Sequence, residues 1–190
     1  MRLFVFLISF VWFASGVALG RSCQEFADDF LKQARSSTVS SQYRVYLKKS
    51  LDLQNATKFS LGANWRTLTP EQRKRFYDVY SKYVVYKYAS QMEKYKIMEY
   101  KVVAVKDDSK RADICNADVI VKAVIQDKVS EVTLVSVISV KDKENPLLQD
   151  LVFENISVLQ MQRSEVESLL KSKGFDEMIK VFEDFVKNNS

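Results

Sequence analysis

The chain has 190 residues, with 29 Lys and Arg against 24 Asp and Glu, a formal charge of +5, two cysteines and no histidine. The absence of histidine excludes histidine-based triads, and neither cysteine has the paired spacing of a metal site, so no metal or cofactor is expected. Basic and acidic residues are interspersed throughout. That pattern argues against a nucleic-acid reader and leaves weak attraction to anionic headgroups or an acidic partner.

The chain begins like a secretory signal. Arg2 supplies a positive start, Leu3 to Phe13 form an apolar run broken only by Ser9, and Ala18-Leu19-Gly20 offers small residues for cleavage. Residues 1–20 are therefore expected to be removed, leaving residues 21–190 as one domain with a core of its own. An uncleaved membrane anchor is the alternative, at the short limit of a spanning helix. In an exported chain Cys23 and Cys115 are free to form a disulfide. Otherwise Cys115 is a small buried strand residue and Cys23 lies in a frayed terminus.

Gln24 to Arg35 reads as a helix, followed by a polar joint, "SSTVSSQ". Tyr43 to Leu53 and Ala56 to Trp65 read as two further helical pieces. Thr69-Pro70-Glu71-Gln72 is a clear helix start, with a capping threonine, a first-turn proline and a glutamine that reaches back. After Met92 the period changes from helical to alternating. "YKVVAVK" (100–106) is one strand, and "ADVIVKAVIQD" (117–127) puts Val119, Val121, Ala123 and Ile125 on one side and Asp118, Lys122 and Gln126 on the other. "EVTLVSVISVK" (131–141) follows through a short link and should form an antiparallel hairpin with it. "LLQDLVFENISVLQ" (147–160) reads as a last strand, Ser164 with Glu167 as the capping box of a closing helix, and Gly174 as its stop. Met178, Ile179, Phe182, Phe185 and Val186 then line a final amphipathic helix. Helices, consecutive antiparallel strands and helices again make an α+β fold with one sheet covered on one face.

The helix opened by Thr69 carries too much apolar surface. Val79, Tyr86, Tyr83, Phe76, Tyr80, Val84, Tyr77 and Tyr88 spread over roughly 200°, about twice the stripe that seats a surface helix. Two arrangements use such a helix: a central element wrapped on several sides by core, or a wall of an apolar cavity. The five tyrosines at 77, 80, 83, 86 and 88 lean toward a cavity, whose mouth can hydrate their hydroxyls.

Two segments carry a family resemblance. "SLGANWRTLTPEQRKRFYDVYSKYV" (60–84) resembles the LG, W and TPEQ segment of the MlaC-like periplasmic phospholipid-binding (toluene-tolerance) proteins. "DLVFENISVLQMQRSEVESLLKSKGFDEMI" (150–179) is similar to that family's closing segment, matched at Asp150, Glu154, Ile156-Ser157, Arg163-Ser164 and Lys173-Gly174. Asn155 stands where the family usually has glycine, and the tryptophan expected shortly before Asp150 is missing. The resemblance implies a strongly curved antiparallel sheet with N-terminal and C-terminal helices on its concave side, cone-like in the manner of nuclear transport factor and cystatin folds, enclosing an apolar cavity. It also implies a monomeric periplasmic lipid carrier. Such a carrier holds phospholipid acyl chains and shuttles lipid between an outer-membrane lipoprotein complex and an inner-membrane ABC transporter.

On that reading the candidate ligand wall is Phe59, Leu61, Trp65, Phe76, Tyr80, Tyr83, Val84, Val103, Val119, Val121, Val135, Val137, Leu151 and Phe153. A wall for two acyl chains should enclose a volume approaching about 1,000 Å³. Asp150 and Glu154 read as structural carboxylates bonded to nearby backbone or Arg163, and Arg66, Arg73, Lys74 and Arg75 as a solvated helix face, with a headgroup or an acidic partner surface as the alternatives. Two other functions fit the same residues: a secreted interaction protein with a filled core, and an enzyme working through carboxylates or tyrosines such as Asp150 or Tyr80.

Overall fold

The computed structural model describes residues 22–190 apart from 126, 127, 143 and 154, with backbone alone at 95, 125 and 153. The expected signal at 1–20 and Glu154 lie outside the described residues. Helix α1 (Cys23–Ser36) starts at a reciprocal capping box: the Glu25 N–H donates to Ser22 Oγ at 3.1 Å and the Ser22 N–H to Glu25 Oε2 at 2.7 Å. Its buried stripe of Cys23, Phe26, Ala27, Phe30, Leu31 and Ala34 lies over the first two strands. A disulfide joins Cys23 to Cys115, 92 positions apart in sequence, so the start of α1 is stapled to the sheet and is not a frayed terminus.

Helices α2 (Ser40–Ser50) and α3 (Leu53–Leu61) follow, the second running into a 3₁₀ turn (Gly62–Arg66). The polar joint is thus shorter than its composition suggests, because α2 begins at Ser40. Helix α4 (Pro70–Met92) opens at the expected box, with the Gln72 N–H on Thr69 Oγ1 at 3.2 Å and the Thr69 N–H on Gln72 Oε1 at 2.9 Å.

Strands β1 (Tyr95–Asp107), β2 (Ile114–Ile125), β3 (Lys128–Ser139), β4 (Leu147–Phe153) and β5 (Ile156–Ser157) form one antiparallel meander in sequence order. Cys115, Ala117, Val119, Val121 and Ala123 of β2 and Leu134, Ser136 and Ile138 of β3 are buried under the helices, the period-two alternation expected of a sheet covered on one face. Register shifts at Ile97/Glu99 and Val102/Ala104 in β1, and in β4 at Gln149 opposite Val137/Ile138 of β3, bend the sheet.

The end of the sheet departs from the sequence reading. Asn155 has φ 67°, in the left-handed region where Asn is among the least strained non-glycine residues, so it can fill the usual glycine position. The chain turns back there, β5 pairs with β4, and helix α5 (Val158–Lys173) starts seven residues before the expected box. Its cap is Ser157, whose Oγ accepts the Gln160 N–H at 2.9 Å. Ser164 instead lies inside the helix and bonds the Gln160 carbonyl, while Glu167 accepts from Arg163. Gly174 stops α5 at φ 78°, and α6 (Phe175–Asn188) packs on α4 and α5 rather than on the sheet.

Two apolar clusters result. One joins α1 and α2 to the sheet through Phe26, Phe30, Leu31, Leu47, Val119, Leu134 and Ile138. The other joins α4 to α5 and α6 through Leu61, Phe76, Tyr80, Val166, Met178, Ile179 and Phe182.

Candidate functional site: an apolar cavity beside the central helix

The wide stripe of α4 divides among three environments. Phe76, Tyr80 and Tyr83 form its first flank and stack against the C-terminal helix, with Tyr83 and Phe182 ring centroids 4.5 Å apart and Phe76 and Tyr80 4.8 Å apart. Val85 and Ala89 form the opposite flank and join the cluster with α1, α2 and the sheet. Between these flanks, advancing ~100° per residue, Val84, Tyr88 and Met92 face open space.

That space is a cavity of about 670 Å³, within the range of small-molecule sites. Phe30, Leu31 and Ala34 come from α1, Tyr43 and Leu47 from α2, and Ala56 from α3. The sheet contributes Ile97, Val121, Ala123, Val132, Leu134, Leu148 and Leu151. Ile156, Val158, Leu159 and Met161 complete the wall around the start of α5. Ile156 and Met161 are 55% and 53% exposed, which marks the side where the cavity meets solvent.

Few polar groups interrupt this surface, and most are paired. Asp150 accepts from Ser157 Oγ at 2.5 Å and from the Leu159 N–H at 2.9 Å, holding the start of α5 against β4. Asp52 caps α3 through the Asn55 N–H at 3.0 Å and accepts from Gln149 at 3.3 Å. Tyr80 donates to Gln162 Oε1 at 3.0 Å, and Gln162 Nε2 makes no hydrogen bond with a described group. At the rim Lys87 donates to the Tyr83 hydroxyl at 2.7 Å and to Glu165, and Tyr83 donates to the other Glu165 oxygen at 2.7 Å.

Burial raises the hydroxyls of Tyr80, Tyr83 and Tyr88 well above the usual phenol range. The hydrogen bond to Glu165 and its charge add to this at Tyr83, and Tyr80 and Asp150 add at Tyr88, where the nearby Gln162 amide offsets a little. These shifts lie away from a phenolate, and both Asp150 oxygens accept hydrogen bonds. Among the described residues no cluster of His, Cys, Asp and Glu could hold a metal ion, and no helix is long and apolar enough to cross a membrane.

Of the residues singled out in sequence, Val84, Val121 and Leu151 lie on the cavity wall. Leu61, Phe76, Tyr80 and Tyr83 are packed in the C-terminal cluster, with Trp65 at its edge beneath the Arg73 guanidinium. Phe59 lies under Arg163, at 5.4 Å from ring centre to guanidinium carbon. Val119 is packed between sheet and helices away from the opening. Val135 and Val137 alternate with the buried Leu134, Ser136 and Ile138 and so point to the outer face, and Val103 is 46% exposed at a bulge. The side chain of Phe153 is outside the description. Arg73 bonds the carbonyls of Trp65 and Arg66, Lys74 pairs with Asp78, and Arg75 with Asp176, none of them on the cavity wall.

The wall residues absent from the sequence reading come from every element around the cavity: α1, α2, α3, the last turns of α4, the sheet and the start of α5. The i, i+1, i+4 set Phe30, Leu31 and Ala34 and the i, i+4 pair Tyr43 and Leu47 carried the signal. For α5 the signal was Ser157 three residues before Gln160, itself a capping pattern.

The family model described as MlaC protein matches residues 22–184. The chain belongs to the MlaC family. Among solved structures it is similar to the phospholipid-binding protein of Ralstonia solanacearum in complex with a phospholipid, with a TM-score of 0.64 at 14% identity. That match covers 87% of this chain and 94% of the other, so the fold is shared along nearly the whole length. Comparison with curated proteins finds no significant match.

Proposed function

We propose that this MlaC-family chain is a periplasmic phospholipid carrier. Residues 1–20 would be removed on export, and residues 21–190 would form a single lipid-binding domain. It would pass lipid between an outer-membrane lipoprotein complex and an inner-membrane ABC transporter without catalysing a reaction.

The observation that carries this reading is the cavity itself, about 670 Å³ of mainly aliphatic and aromatic wall where a filled core would have side chains. The phospholipid held by the Ralstonia relative of like fold adds to it. Two acyl chains of on the order of 30 methylenes gain near 24 kcal/mol in leaving water, at about 0.8 kcal/mol each. Unassisted passage between membranes is therefore negligible, and a carrier must offer surroundings nearly as dry as a bilayer. The tails would lie along Val84, Tyr88 and Met92 of α4 and face Phe30, Leu47, Val121, Leu134 and Leu151. The volume is below the 1,000 Å³ expected for two whole chains, because half of the α4 stripe is used by α6. Part of the lipid would therefore protrude past Ile156 and Met161.

Organic extraction of protein purified from a bacterial periplasm, followed by mass spectrometry, tests the reading. Roughly stoichiometric phospholipid is expected, and protein that is lipid-free at full yield contradicts it.

A further inference from the structure

If tails occupy the cavity, the glycerophosphate end of the lipid lies at the exposed rim, and the charges there meet the headgroup. Lys87 and Glu165 both line the cavity and are 30% and 38% exposed at their side chains. They face each other from α4 and α5, bonded to each other and through the Tyr83 hydroxyl. Lys87 is the one cation on the described wall, against the carboxylates of Asp52, Asp150 and Glu165. Asp52 and Asp150 are engaged by backbone N–H groups and neighbouring side chains, which leaves Lys87 and Glu165 as the pair free to exchange partners.

We propose that the Lys87–Glu165 pair selects phospholipids whose headgroup carries both a phosphate and an ammonium, Lys87 taking the phosphate and Glu165 the ammonium. The inference rests on the carrier reading above and names its substrate class. A zwitterionic headgroup opens the ion pair and gives each partner a new opposite charge, so no charge is stranded at the rim. A headgroup with phosphate alone satisfies Lys87 but leaves Glu165 without a cation and beside a second anion, with two more carboxylates on the same wall. Water reaches both side chains and softens this penalty, so the discrimination is expected to be about fivefold to tenfold rather than a hundredfold.

The test uses the full mature protein and vesicles of equimolar phosphatidylethanolamine and phosphatidylglycerol with identical acyl chains. After incubation the protein is re-isolated and its lipid extracted and quantified. Wild type should carry the two lipids at about 5:1 to 10:1 in favour of the zwitterionic one. Glu165→Gln should bring the ratio close to that of the vesicles, and Glu165→Lys should invert it. Lys106→Gln, on an exposed surface pair with Asp118, should keep the wild-type ratio. Thermal melts of each variant establish that it is folded, and the wild-type ratio is decisive without any variant. Wild type loaded in the vesicle proportion overturns the headgroup inference while leaving the carrier reading intact. A preference that survives Glu165→Gln overturns the assignment to this pair, and protein that takes up no lipid overturns the carrier reading itself.

Discussion

Filling the cavity from the sheet side distinguishes empty space from solid core by the sign of one stability change. Ala123 is 2% exposed on the inner face of β2, opposite Ile97 of β1, and both line the cavity. Ala123→Phe adds six carbons to that wall. Counted as about six methylenes of displaced tail at about 0.8 kcal/mol each, the loss of transfer energy is at most near 5 kcal/mol. Tails that bend into the remaining volume recover about half, which leaves roughly 2.5 kcal/mol, or some 60-fold weaker lipid binding. In lipid-free protein the ring enters open space, so burying it should stabilise the fold by about 1.5–3 kcal/mol. A chain of this size moves about 2–4 °C per kcal/mol, which gives a melting temperature higher by roughly 3–12 °C. In a filled core the same ring overpacks and costs about 1–3 kcal/mol. Calorimetry of delipidated wild type and variant, with titration of a fluorescent phospholipid, reads both effects. A lower melting temperature with unchanged lipid uptake would refute the reasoning.

The disulfide closes a loop spanning 92 residues, for which chain entropy gives a stabilisation of up to about 4–5 kcal/mol. Melting with and without reductant should therefore show a large drop on reduction, matched by Cys23→Ser with Cys115→Ser. Asn155→Gly should be neutral within about 0.5 kcal/mol, while Asn155→Val should lose about 1–2 kcal/mol in chemical denaturation, because only the latter is strained at φ 67°. Burial raises the folded-state pKa of Tyr80, Tyr83 and Tyr88 above the ordinary phenol value of 10.0. Their contribution is then fully present below pH 10 and is lost as the pH rises above it, since only the unfolded chain ionises there. Melting temperatures measured from pH 8 to pH 12 should stay flat with respect to these groups and then fall, and Tyr80→Phe should shrink the fall.

The elements easiest to read were those whose signals are local. Thr69, Pro70 and Gln72 announce α4 within four residues, and the alternation from Ala117 to Ala123 marks the buried face of β2 without reference to any partner. Local signals also mislead where one pattern has two causes. Ser164 and Glu167 have capping spacing, but the spacing also occurs inside a helix, and Asp150 reaching across to Ser157 and the Leu159 N–H decides where α5 begins. Strand β1 extends N-terminal to its readable stretch because the bulge at Ile97/Glu99 breaks the period there.

The cavity wall was the least legible part. Tyr80 and Tyr88 are the same residue type two turns apart on one helix, yet Tyr80 is locked against Phe182 and Gln162 and Tyr88 faces the cavity. What separates them is the seat of α6, which depends on contacts about a hundred residues away in the chain. Hydrophobic periodicity records that a side chain avoids water, not whether a neighbouring side chain or a ligand covers it.

The central claim is that lipid tails occupy the space beside the middle facet of α4. Photo-crosslinking with a phospholipid that carries a diazirine near the end of an acyl chain, followed by peptide mapping, tests it most directly. Labelling should concentrate on wall residues such as Phe30, Tyr43, Tyr88, Met92 and Leu148. Labelling confined to exposed apolar positions such as Val45, Val103 and Val129, with the wall residues unmodified, would contradict it.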